Sequence, residues 1–153
     1  MKKTYFAAVV VCLGVLAAGL VTERISAQVK KGKERPLLTK QLMKGLVGPH
    51  CGAIKKGLAA KPGDDEAWAD LALHAALLNE ASYILMADGR CPDGVWAEAA
   101  SKTLREGSAA VLKGVEAKDA KATQEAFGAM TKSCGGCHKA HTAKKKAAKK
   151  SRI

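Results

Sequence analysis

Aromatic side chains are scarce in this chain: two Trp, two Tyr and two Phe make up 4% of its 153 residues. A packed interior therefore has to be assembled from Ala, Leu and Val, or completed by another large apolar body. No segment alternates apolar and polar residues in the manner of a half-buried strand, which argues against a sheet fold. A glycine-rich phosphate loop is missing, as is any nucleophile constellation, so the common nucleotide-dependent and acyl-transfer chemistries have no foothold. Acidic residues are also few, 14 against 26 Lys and Arg. Adjacent ones such as Asp64 and Asp65 are explained by helix capping rather than by paired acid–base work.

The positive excess is unevenly distributed. Residues 28–153 carry 23 basic and 13 acidic side chains, but residues 139–153 alone hold seven basic and no acidic ones. The run from Lys144 to Arg152 is too charged to bury a face, and residues 143–153 read as a basic disordered tail with at most a frayed helical start. Its bland role is a solvated end. Its functional alternative is attraction to a protein with an acidic docking surface or to an anionic membrane. No nucleic-acid partner is expected.

At the other end, Lys2 and Lys3 precede an almost unbroken apolar run from Tyr5 to Val21, and Ile25-Ser26-Ala27 offers a small-residue cleavage site. This pattern predicts a cleaved signal peptide over 1–27 and a periplasmic or otherwise exported mature chain. The alternative is an uncleaved N-terminal membrane anchor. Cys12 lies inside the apolar run behind Val11, which does not suit a lipid-modified cysteine. Export leaves Cys51 and Cys91 either as a disulfide pair in an oxidising compartment or as two separate buried thiols.

The central residues predict an all-α fold, an antiparallel up-down four-helix bundle over 36–142 reached through a polar linker at 28–35. Pro36 opens a first helix through Leu38, Leu42 and Leu46, with Met43 and Val47 on an adjoining stripe, and Gly48-Pro49 should break or kink it. Asp64 caps a second helix whose apolar stripe includes Trp68, Leu71, Ala75, Leu78 and Leu85. Asp93 caps a third over 95–117, where Gly107 and Gly114 permit close approach of a neighbour. In the fourth, Thr123, Phe127, Met130, Cys134, Cys137, His138 and His141 recur at steps of three and four and share a face.

That last helix contains Cys134-Gly135-Gly136-Cys137-His138, and Cys-x-x-Cys-His is the attachment pattern of a c-type haem. Two thiols three positions apart can add to the two vinyl groups of one porphyrin, and the next side chain can reach the iron. Cys134 and Cys137 are thus the expected thioether residues and His138 the axial iron ligand, on the inward stripe where a bundle encloses a planar ligand. One covalently attached haem c would also supply the apolar area that the aromatic-poor core lacks. Zinc suits Cys134, Cys137, His138 and His141 poorly, because neighbouring Cys137 and His138 leave a helix in different directions. A thioredoxin-like redox pair would need a βαβ context, which is absent.

An exported helical chain with this motif in its last helix resembles the class II c-type cytochromes, the cytochrome c-prime-like four-helix bundles. It is also similar, more distantly, to small secreted cytochrome c domains of planctomycete-type bacteria. The class II resemblance implies a first-helix residue on the distal side of the iron and, in many members, a homodimer through the first two helices. The aromatic–basic pair usual after the motif is replaced here by His138-Lys139-Ala140-His141. Met43 is the leading distal ligand and implies a closed-site electron carrier exchanging electrons with redox partner proteins. Leu42 or Leu46 in that position would leave an open site for small gases such as nitric oxide or carbon monoxide. His50 is a second distal candidate; Met86 and Met130 read as packing, and His74 as solvated or hydrogen-bonded. Enzymatic peroxide turnover comes third, since no distal acid–base set is evident.

Overall fold

The computed structural model describes residues 31–150. The expected signal peptide at 1–27 lies outside them. The described residues are mostly helical and contain no strand beyond an isolated bridge between Lys31 and Leu38. Among them no helix is long and apolar enough to cross a membrane.

Helix α1 is one continuous run of three segments, Thr39–Leu42, Met43–Val47 and Gly48–Ala60. The expected break at Gly48-Pro49 does not occur. The middle segment is a π turn closed by Gly48 N–H donating to the Met43 carbonyl. This wider i→i+5 turn makes room for the Pro49 ring, which has no N–H to place. A Cβ on Gly48 would stand 3.1 Å from the same carbonyl, so the turn is close-packed on itself.

Helix α2 spans Asp65–Met86, and the Asp64 carboxylate caps it by accepting from Ala67 N–H at 2.8 Å. Leu71, Ala75, Leu78 and Leu85 are all buried on one stripe, with Trp68 half-buried beside them. Burial of each Leu contributes about 1.5–3 kcal/mol relative to exposure. The chain then turns through Asp88 and Gly89, both at positive φ of 60° and 68°.

That turn corrects the reading of the preceding linker. Residues 31–38 form a strap across the end of α2: Asp88 accepts from Glu34 N–H at 3.1 Å and Arg35 N–H at 3.0 Å. Its carbonyl takes Lys33 N–H at 3.1 Å. Arg90, 1% exposed, donates to the Leu37 carbonyl. A polar segment becomes ordered because its backbone donors meet one carboxylate aimed by a left-handed residue.

Helix α3 is again continuous, through Gly94–Glu98, a π segment at Ala99–Glu106 and Gly107–Glu116. Asp93 caps it by accepting from Trp96 N–H at 2.9 Å. The π segment ends on a carbonyl with outside partners, Arg105 O accepting from Asn79 Nδ2 of α2 at 2.8 Å and Ser108 Oγ at 3.0 Å.

Helix α4 spans Ala120–Lys150, with Asp119 accepting from Ala122 N–H at 2.9 Å before it. The backbone of 143–150 is therefore helical and not the disordered tail expected from its charge; Ala and Lys are strong helix formers, and cations suit a helix C-terminus. Consecutive helices pack on one another, α1 on α2, α2 on α3 and α3 on α4. The last contact is the tightest. A Cβ on Gly107 would lie 2.7 Å from Met130 Cγ, and one on Gly114 would lie 2.8 Å from Thr123 Oγ1.

Candidate functional site

A cleft of about 360 Å³ opens where all four helices contribute side chains. Helix α4 supplies Thr131, Cys134, Gly135, Cys137 and His138. Helix α1 supplies Met43, Val47, Gly48 and Cys51; α3 supplies Trp96, Ala99, Ala100 and Leu104, and α2 supplies Leu85. None of these residues is an Asp, Glu, Lys or Arg. The volume falls in the range of ordinary ligand pockets, and the small residues Gly48, Ala99, Ala100 and Gly135 leave its centre open.

Both π turns border this cleft. Met43, Val47 and Cys51 follow steps of four, and Ala99 and Leu104 a step of five; a widened turn keeps residues so spaced on one face. Such turns frequently sit at functional sites. Trp96 is anchored by its indole N–H, which donates to the Leu85 carbonyl at 3.0 Å. His141, one turn beyond His138, sets its ring edge-on to Trp96 with centroids 5.8 Å apart. Its Nε2 lies 3.6 Å from Asp93 Oδ1, too far for a hydrogen bond. Trp96 thus provides from α3 an aromatic neighbour that the stretch after the motif lacks.

The thiols are shielded. Burial pushes the Cys134 thiol up, and burial followed by the neighbouring Cys134 and Asp93 does the same for Cys137. Burial, reinforced by Cys134, raises Cys51 to about 11. Thiols so placed stay protonated at neutral pH. Cys51 and Cys91 are not joined: both are thiols, Cys51 in the cleft wall and Cys91 directed at the Asp93 carbonyl at 3.4 Å.

Of the expected site residues, Cys134, Cys137, His138 and Met43 line one cleft. Leu42 lies in the core at 6% exposure, and neither it nor Leu46 lines the cleft. His50 is also outside the lining; its Nδ1 stands 3.0 Å from His74 Nδ1. Met130 is buried against Gly107. Sequence reasoning missed Cys51, Trp96 and the alanines of α3 as wall residues, although the spacing 43, 47, 51 held a signal. No group of three or more His, Cys, Asp and Glu among the described residues is arranged to hold a bare metal ion. Comparison with known proteins finds no matching family model, no matching curated protein and no matching solved structure.

Proposed function

We propose that this chain is an exported monohaem c-type cytochrome that carries electrons, an antiparallel up-down four-helix bundle of the class II kind. Cys134 and Cys137 would hold the porphyrin through thioether bonds, with His138 as one axial ligand and Met43 as the other. One observation carries the reading: the Cys-x-x-Cys-His set of α4 and the Met43 of α1, 91 to 95 positions apart in sequence, line the same cleft. The residues present fit a large flat apolar group with two attachment points. When bound, haem supplies reversible one-electron chemistry.

The chain's own contribution is placement and exclusion. Leu85, Trp96 and Leu104, each at most 4% exposed, keep water from the inner end of the cleft. Trp96 cannot swing out without losing its bond to the Leu85 carbonyl. Lys139 is exposed directly after the motif, and the run of lysines that follows it in the sequence adds positive charge that suits attraction of redox partner proteins with acidic surfaces.

The test is isolation of the chain from an exporting host with intact c-type haem maturation, followed by mass measurement and spectra of both oxidation states. The expected result is a mass increase of one haem and low-spin, six-coordinate spectra with little carbon monoxide uptake. Five-coordinate ferrous protein that binds carbon monoxide readily would replace electron transfer by gas binding. A colourless chain of bare polypeptide mass would overturn both.

A further inference from the structure

A second cluster of ligating side chains stands apart from the cleft, between the Gly48–Ala60 segment of α1 and the middle of α2. His50 Nδ1 and His74 Nδ1 face each other at 3.0 Å, with ring centroids 5.1 Å apart and planes tilted by 34°. Both rings are only partly buried, the His74 side chain at 19% exposure, so an ion can reach them from solvent. We propose that His50 and His74 form a two-imidazole site for one divalent transition-metal ion on the α1–α2 surface. This site is independent of the haem reading.

Three features favour it over an incidental contact. Zinc–nitrogen bonds of about 2.0–2.1 Å put two tetrahedral ligand atoms about 3.3 Å apart, and a square-planar pair about 2.9 Å apart, which brackets the observed separation. His74 Nε2 lies 3.6 Å from Asp70 Oδ2 on the same face of α2. At that distance the carboxylate makes no hydrogen bond to the ring, but its negative charge beside the imidazole favours a cation held there. The positions one turn away contain no competing cation: Leu46, Val47, Ala53 and Ile54 flank His50, and Asp70, Leu71, Leu77 and Leu78 flank His74. Burial and the neighbouring His74 also hold the His50 pKa below its usual value, so its lone pair is available near neutrality.

With two protein ligands and water in the other positions, the site should follow the Irving–Williams order and prefer Cu²⁺ over Zn²⁺ and Ni²⁺. Calorimetric titration of Zn²⁺ into the isolated full chain, in a buffer that does not coordinate metal, tests it. One equivalent should bind, with affinity falling by at least about tenfold in His50→Ala and in His74→Ala and by a smaller factor in Asp70→Asn. Zinc protection of His50 and His74 from diethyl pyrocarbonate, read by peptide mass in the unaltered chain, gives the same answer without any variant. Zinc affinity in both histidine variants equal to that of the parent chain, no protection of the two rings, or no uptake up to about 1 mM would overturn the proposal.

Discussion

A Cβ on Gly107 would stand 2.7 Å from the Cγ of Met130, so α3 and α4 meet here with no room for one further carbon. The contact lies one turn before Cys134 and sets how deeply the motif enters the cleft. Gly107→Ala should therefore destabilise the fold by about 1–3 kcal/mol through overpacking. Gly128→Ala, on α4 two residues before Met130 and with nothing within 4 Å of its added carbon, should stabilise by about 0.5–1 kcal/mol. Urea unfolding of the two variants beside the parent checks both, and equal midpoints would contradict the packing.

Met43→Ala removes the one thioether that α1 offers to the cleft. The haem-loaded variant should change from low-spin to high-spin spectra while keeping its covalent haem. Met86→Leu, outside the lining, should leave the spectrum as it was. A low-spin Met43→Ala spectrum would take the ligand role from Met43.

Asp88 governs the strap. The Arg35 backbone N–H holds its carboxyl below the usual value of 3.8, helped by the Glu34 and Lys33 N–H groups and the Arg90 charge against a smaller cost of burial. Because the folded value lies below the unfolded one, the stabilisation is complete above 3.8 and is lost as pH falls through the lower folded value. Trypsin cleavage after Lys33 should accelerate in Asp88→Asn at neutral pH, the substitution mimicking the protonated state. Unchanged cleavage would mean that the strap is held by Arg90 alone.

Cys51 should resist alkylation. With its pKa raised from 9.0 to about 11, the thiolate fraction near pH 8 falls about a hundredfold, and iodoacetamide labelling should slow by a similar factor relative to the unfolded chain. Peptide mass spectrometry after timed quenching measures this. Rapid labelling of Cys51 in the native protein would show that the cleft wall is open there.

Much of the architecture was legible in the residues. Asp64 and Asp93 cap the helices they were expected to cap, and the buried stripe of α2 follows the apolar period. The shared face from Thr123 through Phe127, Met130, Cys134 and Cys137 to His141 also exists, with His138 exposed at its edge while still lining the cleft, because all these features depend on residues three or four positions apart. The continuity of α1 through Pro49 was not legible: a π turn is a compromise between local hydrogen bonding and distant packing, with no pattern of its own. The strap was hidden for a similar reason. Asp88 caps donors 53 and 54 positions away, and only the folded chain brings them together.

The residues alone determined an all-helical chain and the thiol–thiol–imidazole set at its end, since helix period and motif spacing are local quantities written directly along the polypeptide. The tertiary structure decided that Met43, and neither Leu42 nor His50, shares the cleft with that set. It also decided that Cys51 forms part of the wall and that His50 meets His74. Each of those outcomes turns on the rotation of one helix against another. That rotation is set jointly by close glycine contacts, π turns and long-range hydrogen bonds, whose effect no single segment carries.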